Sequence, residues 1–314
     1  MTRIADAASR LDLDALRLRL LEIDEGKVND SIPELADADP GVCGIALALQ
    51  DGSVLSSADT DVAYSIQSAV KPFVYALALA DDADRVHDAV GIEPTGEAFD
   101  AIRLESGSGR APNPMVNAGA LLTASFVSGS SIEERTQRIL DGLGVFAGQD
   151  LRIDDAVMVS EQTHGDRNHA LAHLMRSEGT LQIPVDDAVA GYARSCAVLV
   201  TTEQLAVMGA TLAFGGVNPL TGRRAVSADI ARDVMSVMAT CGVYDGSGTW
   251  FRRVGVPAKS SVSGAIVLSA PQLLGAAVHS PPLDAQGTSA RGAVGAEVLS
   301  DELDLHVLSS TSRS

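Results

Sequence analysis

The chain has 314 residues and a formal net charge of −18 at pH 7, with 46% hydrophobic and 4% aromatic residues. This length suits one large domain or two interlocked ones, with a core made mainly of aliphatic side chains. The negative charge argues against nucleic acid and anionic membrane surfaces as partners, because both require a basic face. No segment reaches the ~18 apolar residues needed to span a bilayer, so we expect no membrane partner.

The N-terminal part of the chain predicts a helix followed by a hairpin. Leucines interspersed with charges over residues 4–23 predict one amphipathic helix. This stretch contains no unbroken apolar run, so we do not expect it to be a signal peptide. The apolar run 42–49 precedes Asp51 and Gly52, and residues 53–56 follow. That pattern is typical of two antiparallel strands joined by a tight turn.

Helix-like apolar spacing dominates residues 69–239. It predicts helices over residues 70–80, 131–143, 169–177, 185–196, 202–214 and 227–240. Ser131 and Thr202 are the predicted N-caps of two of these helices. Beyond this block, residues 263–269 and 273–280 predict short buried strands, and residues 292–308 predict a closing helix.

The order of these elements predicts a discontinuous domain. We expect residues 1–67 and 240–314 to form an α/β sheet domain, and residues 68–239 to form a helical domain inserted into it. Active sites tend to lie in clefts between such units.

The three cysteines are odd in number, and none has a partner at metal-like spacing. A disulfide framework is therefore not expected, and the small, odd number of cysteines indicates a reducing compartment. We expect a cytoplasmic protein.

Lysine is rare in this chain, which has 3 lysines and 20 arginines. Lys71 follows Ser68 by three residues at a predicted helix start, and Lys259 lies beside a predicted strand. Spacing of three places a hydroxyl and an amine on one helix face. A buried lysine can lose its proton, whereas arginine stays charged. The pattern predicts a serine nucleophile with an amine activator, although Ser-x-x-Lys alone also arises by chance as a surface serine and a solvated lysine.

Further motifs extend along nearly the whole chain. They include Gln67-Ser68-Ala69-Val70-Lys71, Glu93-Pro94-Thr95-Gly96, Asn113-Pro114-Met115-Val116-Asn117, Ser160-Glu161, Gly165-Asp166-Arg167-Asn168, Cys241-Gly242-Val243-Tyr244-Asp245 and Val254-Gly255-Val256-Pro257-Ala258-Lys259-Ser260. In order and spacing they resemble the serine-dependent glutaminases, relatives of the β-lactamases and penicillin-binding proteins. The resemblance covers residues 26–292. It implies a β-lactamase/DD-peptidase-like α/β fold, in which helices flank an antiparallel sheet and a helical domain is inserted.

The resemblance also implies an activity and a set of site residues. The protein would convert L-glutamine to L-glutamate and ammonia, without a cofactor, through attack by Ser68 on the side-chain amide. Backbone N–H groups of Ser68 and Val262 would form an oxyanion hole. Glu161 would bind the α-ammonium group of the substrate. Four further residues would line the pocket around the amino acid: Gln67, Asn117, Asn168 and Tyr192.

The group that accepts the serine proton stays open at this point. Lys71 would serve if burial and the nearby Lys259 removed its proton. Tyr244 matches a family tyrosine placed to relay protons. The resemblance further implies a homodimer or a homotetramer, which the residues themselves do not indicate.

Several positions depart from the family pattern. Ser31 stands where a tyrosine is usual, Ser261, Ser263 and Ala265 stand where glycines are usual, and Thr288 replaces an asparagine. Because glycine allows close backbone approach, we expect Ser261 to narrow the space beside the oxyanion hole. Ser31 and Ser261 keep open the alternative of a non-catalytic relative that binds glutamine. A serine acylase of the same fold that acts on β-lactams or peptides is a second alternative, against which Glu161, Asn168 and Tyr192 argue, because they suit a free amino acid.

A metal site is a further alternative. His164, His169 and His173 raise this alternative, and His169 and His173 are four residues apart on a predicted helix, which is a metal-ligand spacing. No glutamate follows His169 to complete a His-Glu-x-x-His pattern, so we expect no metal.

Overall fold

The computed structural model describes residues 3–96 and 101–309. The ends of the predicted sheet domain at residues 1–2 and 310–314, and residues 97–100 of the predicted helical domain, lie outside the described residues. In the described part, strands form a five-stranded and a three-stranded sheet. The strands are β1 (Gly44–Leu49), β2 (Val54–Ser56), β3 (Tyr64–Ser65), β4 (Arg152–Ile153), β5 (Val198–Val200), β6 (Ala258–Ser260), β7 (Ala265–Ala270) and β8 (Leu274–His279).

The helices occupy most of the chain between the two groups of strands. They are α1 (Arg3–Arg10), α2 (Leu13–Leu21), α3 (Pro33–Ala36), α4 (Lys71–Ala89), α5 (Asn117–Phe126), α6 (Ile132–Ala147), α7 (Asp155–Thr163), α8 (Asp166–Ser177), α9 (Val185–Cys196), α10 (Thr202–Ala213), α11 (Ala228–Cys241), α12 (Ser247–Arg253) and α13 (Ala290–Glu302). Two 3₁₀-helices, Gln67–Val70 and Tyr244–Gly246, also belong to the described chain. No helix among the described residues has both the length and the apolar character that crossing a bilayer requires.

The five-stranded sheet joins the two ends of the described chain. Its order is β2-β1-β8-β7-β6, and all its neighbouring strands are antiparallel. The predicted hairpin of β1 and β2 is confirmed, with Leu47 opposite Leu55. Gly52 adopts a φ of +86° in the turn, a backbone conformation that favours glycine. The sharing of one sheet by both chain ends agrees with the predicted element order.

Helices cover both faces of the sheet, and all residues of β1, β7 and β8 are therefore buried. On one face α10 lies so close to β8 that a Cβ at Gly275 would stand 2.0 Å from the backbone nitrogen of Ala210. On the other face a Cβ at Gly295, in α13, would contact Leu20 and Val278. Thus α10 packs directly on the sheet although it belongs to the predicted helical block. The division into two domains stays a prediction.

Several predicted helix boundaries are wrong, and capping explains two of them. The single helix predicted over residues 4–23 is two helices, because the Asp12 side chain accepts a hydrogen bond from the Ala15 N–H (2.9 Å) and starts α2. The N-cap of α10 is Thr201 and not Thr202. Thr201 and Gln204 exchange side-chain-to-backbone hydrogen bonds in a capping box.

Helix α5 and the three-stranded sheet were not predicted individually. All ten residues of α5 are buried, so the helix shows no polar face and no amphipathic period. Strands β3, β4 and β5 have two or three residues each. Such segments are too short for an alternating pattern to be recognised.

Candidate active site

The stretch around Ser68 forms a strained turn before a long helix. Gln67 has a φ of +49°, which is uncommon for a residue with a side chain and costs on the order of 1–3 kcal/mol. The 3₁₀-helix Gln67–Val70 then leads directly into α4, whose first residue is Lys71. Ser68 is 5% exposed and Lys71 is 1% exposed. The structure therefore places both side chains in the protein interior, about one turn apart.

The Lys71 amine connects three helices. Its Nζ donates to Asn117 Oδ1 (2.8 Å) and to the Met115 carbonyl (3.3 Å), and it lies 5.9 Å from the centroid of the Tyr192 ring. The Tyr192 hydroxyl donates to the same Asn117 oxygen (3.3 Å), and Asn117 Nδ2 donates to Asn168 Oδ1 (3.1 Å). Four of the predicted site residues therefore meet at the start of α4.

Lys259 occupies a second buried position, on β6, the strand that packs against the 3₁₀-helix of Ser68. Its Nζ donates to the Ser260 carbonyl (2.7 Å) and lies 3.8 Å from the centroid of the Tyr244 ring. Complete burial lowers the pKa of Lys259 well below its ordinary value, and the positive charge of Lys71 lowers it further. Tyr244 itself adopts a φ of +53°, and its hydroxyl donates to the Ser260 carbonyl (3.4 Å).

Glu161 lies on α7 and is half-buried. Burial raises the pKa of its carboxyl group, while a hydrogen bond from the Gln67 side chain acts in the opposite direction. The structure therefore places Glu161 beside the strained residue that precedes Ser68. Burial also raises the pKa of Tyr192 well above its ordinary value, so its hydroxyl keeps its proton and acts as a donor.

Val262 lies in the connection between β6 and β7, and its side chain packs against a small apolar cluster of Ile32, Leu35, Val157 and Ala197. The connection also touches the Ser68 segment, because Ser261 Oγ donates to the Ile66 carbonyl (2.9 Å). The predicted role of the Val262 N–H stays a prediction.

The histidines of the metal alternative have separate partners. His164 Nδ1 lies 2.9 Å from the Ser160 carbonyl, and His169 Nδ1 lies 3.1 Å from the Gly165 carbonyl. His173 is exposed. Across residues 3–96 and 101–309, no three His, Cys, Asp or Glu side chains come together in a way that could hold a metal ion.

Comparison with known proteins establishes the family. The Glutaminase family model matches residues 26–308. The "Glutaminase" of Clavibacter michiganensis subsp. michiganensis is 67% identical over 306 residues, which are 98% of this chain and 94% of that protein. The chain belongs to the Glutaminase family. A second member of the family, the "Glutaminase" of Nostoc sp., is 45% identical over 94% of this chain and 89% of its own length.

Solved structures that resemble this chain have the same architecture. Mglu in its glutamate form is 44% identical and superposes with a TM-score of 0.91, over 96% of this chain and 70% of that one. The probable glutaminase ybaS is 36% identical and also has a TM-score of 0.91, over 97% of this chain and 98% of its own. The protein is thus a mixed α/β protein with an antiparallel sheet flanked by helices.

Two contacts of this glutaminase site were not predicted from the sequence. The Met115 carbonyl accepts from Lys71, and no side-chain pattern signals the role of a backbone carbonyl. The Ser261 hydroxyl binds the Ile66 carbonyl, although the sequence predicted only that it would narrow the space there. Another departure from the family pattern, Ser31, is exposed, and its hydroxyl donates to Asn29 Oδ1 within its own loop (2.5 Å).

A buried histidine near this glutaminase site predicts a pH-dependent stability. His279 is 3% exposed, stacks on Tyr64 with ring centroids 3.6 Å apart, and lies with Nε2 3.1 Å from the Ser263 carbonyl. Burial lowers its pKa from 6.5 to about 4. Between these two values the unfolded chain binds a proton that the folded chain excludes. The free energy of unfolding should therefore fall as pH drops from about 6.5 to about 4, by up to roughly 3 kcal/mol from this group.

The measurement is urea unfolding of the wild type and of His279→Gln at about pH 7 and about pH 4.5. The substitution removes the titrating group and leaves the other acidic and basic groups in both proteins. We expect the variant to lose less free energy of unfolding between the two pH values. An equal loss in both proteins would contradict the assignment to His279.

Proposed function

We propose that the protein hydrolyses L-glutamine to L-glutamate and ammonia through an acyl-enzyme on Ser68. The observation that carries the proposal is the buried Ser68–Lys71 turn, whose amine binds Asn117, in a chain that belongs to the Glutaminase family.

The fold is proposed to be β-lactamase/DD-peptidase-like. The antiparallel sheet built from both chain ends supports this assignment, as does the helical block between them. Residues 1–67 and 240–314 would form the sheet domain, and residues 68–239 the inserted helical domain. In that division, α10 would join the two units, because it packs closely on β8 of the sheet.

Substrate selection would depend on the charged ends of a free amino acid. A buried charge without a partner is costly, so a site that satisfies an α-ammonium group discriminates against a peptide nitrogen. Glu161 supports this role, because burial has raised its pKa and an ammonium group beside it would favour the charged carboxylate. Asn117, Asn168 and Tyr192 would hold the same end of the substrate, and Gln67 would line the pocket between Glu161 and Ser68.

The two buried amines support a route for the serine proton. Two ammonium groups repel each other, and this repulsion contributes to the lowered pKa of Lys259. The same repulsion would favour a state of the pair in which one of Lys71 and Lys259 is charged and the other is a neutral amine. This amine would take the proton from Ser68 as the hydroxyl oxygen bonds to the amide carbon. Tyr244, against the Lys259 amine, would relay protons within the pair.

The remaining steps complete the reaction. The tetrahedral oxyanion would bind the N–H groups of Ser68 and Val262, each contributing roughly 3–4 kcal/mol. When the C–N bond breaks, the ammonium form of the amine would return the proton to the leaving nitrogen, which departs as ammonia. Water would then hydrolyse the ester, releasing glutamate and restoring the Ser68 hydroxyl.

Assembly as a homodimer or homotetramer and a cytoplasmic location complete the proposal. The assembly rests on the family resemblance. The location is supported by the cysteines, which are all buried free thiols. Burial raises the pKa of Cys43 to about 11 and that of Cys196 to about 12, so both stay protonated at neutral pH.

The deciding experiment measures ammonia release from glutamine, asparagine and a glutamine-containing peptide, with hydrolysis of the β-lactam nitrocefin measured in parallel. We expect release from free glutamine, no release from the peptide, in which the α-ammonium group is absent, and no nitrocefin hydrolysis. Nitrocefin hydrolysis without ammonia release would favour a serine acylase of the same fold. Glutamine binding by calorimetry without any release would favour a non-catalytic relative.

A further inference from the structure

Two serines flank Val262 and bond to each other. Ser261 is fully buried and Ser263 is 5% exposed. Their hydroxyl oxygens are 3.0 Å apart, and the Ser263 N–H donates to Ser261 Oγ (3.4 Å). Because Ser261 uses its own proton toward the Ile66 carbonyl, the Ser263 hydroxyl must be the donor between the two side chains. Ser261 Oγ thus donates one hydrogen bond and accepts two.

The Ile66 carbonyl, which accepts the hydrogen bond from the Ser261 hydroxyl, belongs to the Ser68 turn. It accepts the Ala69 N–H (3.1 Å), which closes the first turn of the 3₁₀-helix of Ser68, and it also accepts the Ser261 hydroxyl. The Ile66 N–H donates to the Val198 carbonyl (2.8 Å), so the peptide groups on both sides of Ile66 are held. Gln67, the next residue, has the strained φ of +49°. A strained backbone persists only where its surroundings over-determine it.

We propose that Ser261 and Ser263 act together as positioning residues for the acyl-transfer step, holding the Val262 peptide against the Ser68 turn. The inference rests on the proposed function. Both donors of the proposed oxyanion hole lie on the two segments that Ser261 connects, so this hydroxyl sets the distance between them. The donors of an oxyanion hole stabilise the transition state, so a small displacement of either N–H group lowers the rate of the reaction.

The test compares Ser261→Ala, Ser263→Ala and the double variant with Ser269→Ala. Ser269 lies on the neighbouring strand β7, is fully buried, and its hydroxyl has no hydrogen-bond partner among the residues described. Ser269→Ala therefore removes a buried hydroxyl without removing a connection, and it should keep the wild-type rate. Each variant is measured for kcat, for KM with glutamine and for urea unfolding.

We expect Ser261→Ala to lower kcat by roughly tenfold or more while KM changes by less than about twofold. The reason is that the variant loses stabilisation of the transition state and keeps its contacts with bound glutamine. The double variant should lose about as much as Ser261→Ala alone, since the Ser263 hydroxyl acts through Ser261.

A kcat of Ser261→Ala within about twofold of the wild type would overturn the inference, even if the variant were less stable. Multiplicative losses in the double variant would overturn the joint action of the two serines. These outcomes require an active wild-type protein. An inactive wild type would contradict the proposed function itself.

Discussion

Replacing Ser68 by alanine is expected to abolish ammonia release from glutamine, with a loss in kcat of about 10⁴-fold or more. Alanine offers no oxygen to form the acyl bond, so only binding and the backbone N–H groups would still accelerate attack by water. The substitution removes a single oxygen atom from a buried position, and the 3₁₀-helix around it is held by backbone hydrogen bonds. The free energy of unfolding should therefore stay close to that of the wild type.

The measurement pairs ammonia release with mass spectrometry of protein quenched in acid during turnover. The wild type should carry a glutamyl adduct on the peptide that contains Ser68, and Ser68→Ala should carry none. Ser195→Ala is the matched control, because the Ser195 hydroxyl donates to the Gly191 carbonyl of its own helix (2.9 Å). Unchanged ammonia release by Ser68→Ala would rule out this nucleophile.

Replacing Lys71 by methionine is expected to lower kcat by about 10³-fold, within the range that positioned acid–base groups contribute. Methionine is unbranched and of similar length, so it fills the buried volume, but it has no amine to exchange protons with Ser68. It also removes the 2.8 Å donor to Asn117 Oδ1, leaving that oxygen with the Tyr192 hydroxyl. Lys71→Arg should not restore activity, because a guanidinium group keeps its proton.

The pH dependence adds a readout that a loss of packing would not change. The charge of Lys71 lowers the pKa of Lys259, so Lys71→Met should raise the pKa of Lys259 toward its ordinary value. Because the neutral amine is the reactive form, the acid limb of kcat/KM for the residual activity should move to higher pH. Lys27→Met is the control, since Lys27 is exposed and is the third lysine of the chain. Retained activity with an unchanged pH profile in Lys71→Met would show that the pair is not the base.

Local sequence patterns were sufficient to predict those elements whose structure depends on residues close together in the chain. The hairpin of β1 and β2 follows from an apolar run beside Asp51 and Gly52, and the left-handed φ of Gly52 needs no distant contact. Helix α9 begins and ends at the predicted residues, because its polar and buried positions alternate with the helical period. Helix α5 was missed for the converse reason, since other elements bury all of its faces.

Some features of the candidate site likewise follow from local sequence, and others follow from contacts between distant segments. The Ser68–Lys71 spacing and the ordered motifs that indicated the family could be read from the chain alone, because they depend on residue type and separation along it. The fold brings Lys71 to Asn117, 46 residues away, and the Ser261 hydroxyl to the Ile66 carbonyl, 195 residues away. No local pattern predicts either contact. The pKa of Lys259 was likewise set by the fold, because burial and the approach of a second cation are properties of packing between distant segments.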